Sequence, residues 1–462
     1  MMNTESYIEK RRSLTILLKK RIIEMLQLPL EEDKIDLDCP LFGSGLGLDS
    51  VDAVGLAAMI ESDFNVRVFD SDISMFRSIN SIVDFILQRK AEISAGKEPE
   101  EIFEGTVAEN IEIEINSDSD EKTQMDLKDY ITLRYNVGLV ELFSSTVICI
   151  EGPDAELFVD FIVAGDIADL AVDSLLNSLI LKNNGTISSI VWIARQDTAY
   201  LLISDKKERQ SLISCLNLYR GTRNVEIIDK SEETEILAVI GPKAQDLVVD
   251  LFEEDLLRLG YGEFEVLEWK GTEIMIGRYG ETGEFDYRFI VPAEISASLA
   301  EEITDSGSIY QLRRCSPDLL RTLMMEMKSI HQDSMLLTNC FPHQVDLQWM
   351  VDFNKESFLG HEALTESHNK GYRKAVLLTA DAVSVEQMGD QVWLDRLHVG
   401  FVQSSAYSFA LGKWILFAFI DFRYAWPNQQ FIIKGKNTQN LEAVSKSAPL
   451  FLTRTILESL NI

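Results

Sequence analysis

Cysteine is sparse in this 462-residue chain. Cys39, Cys149, Cys215, Cys315 and Cys340 lie far apart, with no Cys-x-x-Cys pair. The spacing argues against a disulfide framework and against a thiolate metal site. The five histidines, His331, His343, His361, His368 and His398, are equally dispersed, and no metal site is expected. Positive charge is short as well: 43 Lys and Arg stand against 75 Asp and Glu, a formal net charge of −32. That balance excludes a sequence-independent hold on nucleic-acid phosphates or on anionic lipid. No apolar run approaches the ~18 residues of a membrane-spanning helix. The start, with Glu5, Glu9, Lys10, Arg11 and Arg12, lacks the apolar core of a secretory signal, so a cytoplasmic protein is expected. What is abundant is hydrophobic residue, 46% of the chain, enough at this length for about three domains with real cores.

The most informative stretch is Phe42-Gly43-Ser44-Gly45-Leu46-Gly47-Leu48-Asp49-Ser50-Val51-Asp52. Three glycines make an irregular loop, Asp49 and Ser50 are able to cap orphan amides, and Val51, Val54, Ala58 and Met59 follow at helical spacing. A helix is predicted to start at or beside Ser50, and its positive end favours a phosphodiester on the Ser50 hydroxyl. An Asp-Ser pair alone is usually an ordinary cap. Here it lies between two apolar stripes, Leu14, Leu17, Leu18, Ile22, Met25 and Leu26 before it and Ile79, Ile82, Val83 and Ile86 after it. Three main helices in about ninety residues make a small bundle. The region from Tyr7 to about Lys90 closely resembles an acyl carrier protein, with Ser50 at the position of the serine that bears 4'-phosphopantetheine and Asp49 beside it. Val51 replaces the commoner leucine of that motif. The resemblance implies a separate phosphopantetheinyl transferase, and partner enzymes facing Asp49, Asp52, Glu61 and Asp63. A plain solvated helix face is the other reading of those acids.

From Ala91 to Leu127 the pattern loosens, with twelve acids against two lysines. Such a run self-repels, so residues 91–128 are expected to be an extended tether. Ile111-Glu112-Ile113-Glu114-Ile115 alternates strictly and is a candidate short strand. From Asp129 onward, short strands (146–150, 189–193, 199–203, 237–240, 273–276, 287–291) alternate with helices (155–162, 244–251, 295–303), an α+β pattern. Gly152-Pro153 and Gly241-Pro242 each join a strand to a helix, which points to two duplicated lobes. Strand-like runs at 392–394, 398–403 and 415–419 predict a small β domain at the end.

Six collinear landmarks then carry a second resemblance: Gly138-Leu139; Gly152-Pro153-Asp154-Ala155; Gly241-Pro242-Lys243-Ala244; Gly280-Glu281-Thr282-Gly283-Glu284 with Val291-Pro292-Ala293-Glu294; Phe358-Leu359-Gly360-His361-Glu362-Ala363-Leu364; and Gly389-Asp390 with Tyr407-Ser408 and Leu411-Gly412. In this order they resemble the aminomethyltransferase, or T protein, of the glycine cleavage system, over most of residues 129–454. The resemblance implies a three-domain cloverleaf, with two α+β lobes in residues 129–370 and a β-barrel in 371–462 behind a carrier in 1–90. It also implies one-carbon transfer to or from tetrahydrofolate.

The site residues depart from that family. Its paired aspartates align with Ser188 and Ser189, and a hydroxyl cannot replace a carboxylate's charge. Its tyrosine and its pterin-pairing glutamate align with Glu281 and Arg288, so an acceptor has become a donor. Its Ser-His-Met aligns with Phe143-Ser144-Ser145, and the cysteine of related iron–sulfur repair proteins aligns with Ser357. Glu281, Glu284 and Arg288 remain as candidate catalytic groups, with a structural Arg288–Glu281 ion pair as the other reading.

The expected function is modification of an acyl or aminoacyl thioester, held on Ser50, by a T-protein-like transferase of specialised polyketide, fatty-acid or peptide-like metabolism. Folate is permitted rather than required. An acyl- or aminoacyl-loading enzyme, and a ketosynthase or thioesterase, are the expected partners. The competing expectation is a degenerate scaffold that docks or shields the loaded carrier. Two motions are implied, swinging of the arm and reorientation of the carrier over the acidic tether.

Overall fold

The computed structural model describes residues 4–26, 35–42, 46, 48–95, 121–142, 145–252, 254–330, 339–367, 372–381, 389–435 and 440–459. The candidate strand 111–115, most of the acidic run and the glycines of the Ser50 loop lie outside these residues. Two compact units emerge. One contains the described residues of the N-terminal region, Thr322–Ser329 and the C-terminal region from Tyr372; the other contains those of Asn116–Arg321 and Ile330–Gly371. Among the described residues no helix is long and apolar enough to cross a membrane.

In the first unit, α1 (Thr4–Leu26), α2 (Ser50–Phe64) and α3 (Ile79–Ser94) form the N-terminal bundle, with a 3-10 segment at Asp70–Arg77. Leu18 and Ile22 of α1 meet Leu56 and Ile60 of α2 and Ile79, Ile82, Val83 and Ile86 of α3 in one core. The face of α2 that is buried differs from the stripe picked out by spacing. Ala53, Leu56, Met59 and Ile60 point inward, whereas Val51 and Val54 are 75% and 70% exposed. The core set runs i, i+3, i+6, i+7, and the valines occupy a parallel stripe one position off it.

In the second unit, α4 (Glu121–Tyr135) opens inside the stretch assigned to the tether, so the tether ends before residue 128. Its charged first turn resembles linker by composition, but Leu127, Tyr130 and Leu133 recur at helical spacing and are buried. There follow β1 (Gly138–Glu141), β2 (Ser145–Glu151), α5 (Ala155–Ile162), β3 (Ser174–Leu181), β4 (Ile187–Arg195), β5 (Ala199–Asp205), α6 (Arg209–Arg220) and β6 (Glu226–Asp229). The second lobe adds β7 (Thr234–Ile240), α7 (Ala244–Leu251), β8 (Glu263–Trp269), β9 (Thr272–Arg278), β10 (Asp286–Pro292), α8 (Ala293–Ser306) and β11 (Arg313–Cys315). These eleven strands run in the order β11-β1-β7-β10-β9-β8-β3-β4-β5-β2-β6. Read from the outer ends, β1-β7-β10-β9-β8 mirrors β6-β2-β5-β4-β3, which is the duplication expected from the Gly-Pro joints. Each lobe borrows an edge strand: β1 precedes the first lobe yet pairs with β7, and β6 follows it yet pairs with β2.

The repeat is exact enough to explain the glycines. Gly152 and Gly241 have φ of +120° and +134°, and a Cβ there would lie 2.6 Å from the Asn224 carbonyl oxygen and 2.3 Å from that of Asn136. In both lobes an Asn-Val pair thus crosses over a Gly-Pro turn. α5 and α6 cover one face of the first lobe, through Phe158, Val159, Leu212 and Leu216. α7 and α8 cover the second, through Leu247, Val248, Leu299 and Ile303. The other faces of the two lobes meet in a third core that includes Trp192, Leu201, Phe264, Met275 and Tyr279.

α9 (Leu320–Glu326) and α10 (His361–Ser367) precede the barrel, which closes in the order β12-β15-β14-β13-β16-β17. Its strands are β12 (Arg373–Ala380), β13 (Gln391–Leu394), β14 (Leu397–Ser408), β15 (Lys413–Asp421), β16 (Gln430–Lys434) and β17 (Leu441–Ser445). A last helix, α11 (Arg454–Ser459), ends the described chain.

The Asn-Val crossing gives a direct test. Gly241→Ala is expected to cost about 3 kcal/mol or more, since strained φ and a backbone collision add. Gly271→Ala, at φ +85° with open space around it, is expected to cost about 1 kcal/mol. Urea unfolding monitored by hydrogen exchange in β7 and β1 separates the two; equal losses would refute the crossing as the constraint.

Candidate functional site

Ser50 is the first residue of α2 and is exposed. Asp49 is the N-cap: its carboxylate accepts from the Val51 and Asp52 amides at 2.8 and 2.9 Å, and Asp52 returns the bond to the Asp49 amide at 3.1 Å. The reciprocal cap fixes the helix start and directs the Ser50 hydroxyl outward at the helix's positive end. The other acids near α2 have local work. Glu61 accepts from the Val68 amide at 2.9 Å, and Asp63 pairs with Arg21 at 2.5 Å, a bond that holds the Asp63 carboxyl below its ordinary range.

The second candidate site lies on the faces where the two lobes meet. On β10 the alternation sends Tyr287 and Phe289 to the helix-covered core, leaving Asp286, Arg288 and Ile290 on the other face. Arg288 donates to Asp286 through Nε at 3.1 Å and Nη2 at 3.0 Å, and its guanidinium lies 4.8 Å from the centre of the Tyr279 ring. Burial pushes the Asp286 carboxyl above the usual carboxylate range, with Arg288 pulling the other way. Burial would lower the Arg288 guanidinium, and Asp286 more than offsets it, so the pair holds its charges together.

Glu281 is half-buried and accepts from Asn177 Nδ2 of β3 at 2.5 Å. Asn177 Oδ1 is buried and makes no hydrogen bond. Trp192 of β4 stands between two tyrosine rings, 5.0 Å from Tyr279 and 6.0 Å from Tyr261, whose hydroxyl donates to the Gly280 carbonyl at 2.8 Å. Asn177, Trp192, Tyr261, Tyr279 and Asp286 were not visible as site residues in the sequence. Only the position of Asp286, two residues before Arg288 on one strand, carried any signal.

The remaining candidates are placed as follows. Glu284 is fully buried and paired with Arg134 at 3.2 Å; the same guanidinium donates to the Thr282 carbonyl at 2.7 Å. Its carboxylate stabilises the turn that carries Glu281. Ser188 is half-buried at a register shift of β4, and Ser189 donates to Glu208 at 3.0 Å. Ser357 is exposed; its neighbour Lys355 is held by the Asp160, Val163 and Gly165 carbonyls and by the Asp160 carboxylate. Phe143 and Ser144 lie outside the described residues. Burial raises all five cysteine thiols, Cys340 to about 11 and Cys315 to about 12, which withholds thiolate chemistry at neutral pH. Among the described residues no cluster of His, Cys, Asp or Glu is arranged to hold a metal ion.

A sequence profile described as the GCVT N-terminal domain matches residues 112–355, more than half of the chain, and one for the glycine cleavage T-protein C-terminal barrel domain matches 373–451. The chain belongs to the glycine cleavage T-protein family. In front of this T-protein module is a carrier domain, since a phosphopantetheine attachment site profile matches residues 17–86. Similar curated proteins include the aminomethyltransferase of Caldanaerobacter subterraneus subsp. tengcongensis, 26% identical over 67% of this chain and 84% of that one. The aminomethyltransferase of Alkaliphilus oremlandii is 26% identical over 71% of this chain and 89% of its own. The solved glycine cleavage system aminomethyltransferase T from Bartonella henselae shares the fold, with a TM-score of 0.63 and 20% identity over 71% of this chain and 90% of that one. The α-helical carrier, the α+β lobes and the closed C-terminal barrel of the T-protein module are thus those expected from the motifs.

The Asp286–Arg288 pair is testable through its pH dependence. A carboxyl whose folded-state pKa exceeds its unfolded value contributes fully only below the unfolded pKa, and the contribution fades as pH rises through the folded value. Arg288→Met removes the opposing pull and raises Asp286 further. Stability is therefore expected to fall by about 3 kcal/mol at neutral pH and to recover below about pH 4. Asp286→Asn in the same chain should restore it at neutral pH, as read by urea unfolding at both pH values.

Proposed function

We propose that Ser50 carries the 4'-phosphopantetheine arm, and that an acyl or aminoacyl thioester on it is the substrate of the T-protein module. The observation that carries this reading is the exposed Ser50 hydroxyl at a capped helix start, in one chain with the N-terminal domain and C-terminal barrel of a T protein. Ser50, at the positive end of α2, is the residue that would hold the phosphodiester, and the arm supplies a thiol for thioester formation when attached.

In the module, charge accounting leaves few groups for chemistry. Glu284 is committed to Arg134 and Asp286 to Arg288, and serines stand at 188 and 189. Glu281 is the candidate that combines partial exposure with a neighbour, Asn177, able to orient it, so it is assigned the proton-handling role. The ring of Tyr261, 39% exposed beside Trp192, offers an apolar face, and half-buried Glu281 offers a hydrogen-bond acceptor. That combination fits a flat, N–H-rich ring such as a pterin, with the acceptor relocated away from the position now held by Arg288. The reading is a carrier-dependent one-carbon transferase. Loading of the thioester requires an acyl- or aminoacyl-loading enzyme, and a phosphopantetheinyl transferase must precede it.

The second reading, a T-protein module that shields the loaded carrier without catalysis, is favoured by the mutual neutralisation of Asp286 and Arg288 and by the missing carboxylates at 188 and 189.

Co-expression with a phosphopantetheinyl transferase is expected to add the mass of one arm to the chain, and Ser50→Ala to abolish it. Titration with tetrahydrofolate then divides the two readings. Binding that weakens about tenfold in Glu281→Gln supports the transferase; no binding by the loaded protein leaves the shield.

A further inference from the structure

We propose that the carrier bundle is clasped to the barrel by the chain's own C-terminal segment, so that the carrier is a fixed station and the prosthetic arm supplies the motion. Carriers joined through acidic runs are expected to reorient over the tether. The contacts in this unit point elsewhere, because the carrier's own core is completed from the far end of the chain.

Leu452, Ile456 and Leu457 are buried in the same apolar cluster as Leu18, Leu56, Ile79 and Ile86. They recur at i, i+4, i+5, so α11 and the residue leading into it present one apolar face to the bundle. Around this core runs a polar network that ties carrier to barrel at four points. Asp38 receives Lys328 in an ion pair whose side chains are 8% and 7% exposed, and also accepts from the Ala448 amide at 3.2 Å. Asn80 of α3 donates to Asp38 at 2.8 Å and accepts from Arg11 of α1 at 2.9 Å. Arg11 pairs in turn with Asp84, which accepts from the Ser447 hydroxyl. Arg77 donates to the carbonyls of Pro449, at 3.0 Å, and Leu450. On the barrel side the clasp is anchored by Glu326, fully buried, which accepts from the Ser408 hydroxyl of β14 at 2.5 Å and, through its carbonyl, from the Leu450 amide at 2.9 Å.

These are not the contacts of a passing encounter. Main-chain groups of 448–450 are satisfied by carrier side chains, and a buried lysine is neutralised by a carrier aspartate, so separation would leave charges and amides stranded. The polar contacts of the clasp come from α1, α3, Asp38 and Arg77, while the Ser50 end of α2 remains exposed. The docked carrier therefore still offers its modification site to a transferase in solution.

The clasp stands whether or not Ser50 is modified, so its test is independent of the arm. A site for a specific protease is placed between residues 100 and 115 of the full chain, and the cleaved protein is passed over a sizing column at micromolar concentration. Co-elution of the carrier fragment with the remainder is the expected result; a separate, folded carrier peak overturns the proposal. Lys328→Gln changes no residue of the carrier and removes the buried partner of Asp38. It is expected to weaken association of the fragments at least tenfold while circular dichroism of the released carrier stays helical. Unchanged association in that variant overturns the assignment of the clasp to these residues.

Discussion

A buried charge has to be answered, and in this chain Asp38 is the place where that rule does most to organise the first unit. Its carboxylate meets Lys328, the Ala448 amide and Asn80 at once, three groups from three separate stretches of sequence. Taking either ion alone out of water costs several kcal/mol, so the arrangement is favourable only if all its partners arrive together. The node therefore does more for uniqueness than for net stability. A carrier shifted by a few ångströms would keep most of its apolar burial through Leu452 and Ile456, which is non-directional, but would strand the aspartate. Hydrophobic contact holds the bundle near the barrel, and Asp38 selects the register.

The same rule shapes the T-protein module, with the opposite consequence for chemistry. Arg134 with Glu284 and Arg288 with Asp286 are ion pairs within a region where a family enzyme would keep carboxylates available. Once paired and buried, such groups are poor proton carriers, because moving a proton leaves the partner uncompensated. Substitution of the glutamate by Arg288 is then not an isolated loss. An arginine on that face needs an anion, Asp286 supplies it from the same side of the same strand, and the fully buried Tyr279 ring lies beside the guanidinium. The compensation is local and complete, which is why the fold tolerates a change of sign in its interior. Glu281 differs from both pairs in keeping partial exposure, with its carboxylate hydrogen-bonded by Asn177.

Much of this was legible in the sequence, for identifiable reasons. The start of α2 is readable because a cap and a glycine-rich loop are local features, and α5 and α7 because Gly-Pro marks the turn that leads into each helix, the proline standing just before the N-cap. The terminal β domain follows from turn-separated strands, and its closure into a barrel from the family resemblance. Other features were hidden because they are relations between distant residues. Val51 and Val54 satisfy helical spacing as well as the true core stripe does, and only the neighbouring helices decide between them. The exchange of β1 and β6 leaves no local mark, although Asn136-Val137 and Asn224-Val225 repeat within one residue of the interval of the Gly-Pro turns they cross. Asn177 is one polar residue in an apolar strand, and its partner lies more than a hundred residues away. The clasp is the extreme case: a short apolar pattern at 452–457 predicts burial but says nothing of its partners near the other end of the chain.

Fusing a carrier to an enzyme is usually explained by effective concentration, which falls as the tether lengthens and as the carrier's orientations multiply. A clasped carrier changes that balance. Its translational and rotational freedom relative to the barrel is already lost on folding, offset by the burial of Leu452, Ile456 and Leu457 and by the Asp38 node. The gain comes with a restriction, since a carrier held in one place cannot turn to serve several enzymes in sequence. Any loading enzyme must come to the exposed Ser50 end of α2, where Val51 and Val54 stand in solvent beside Asp49.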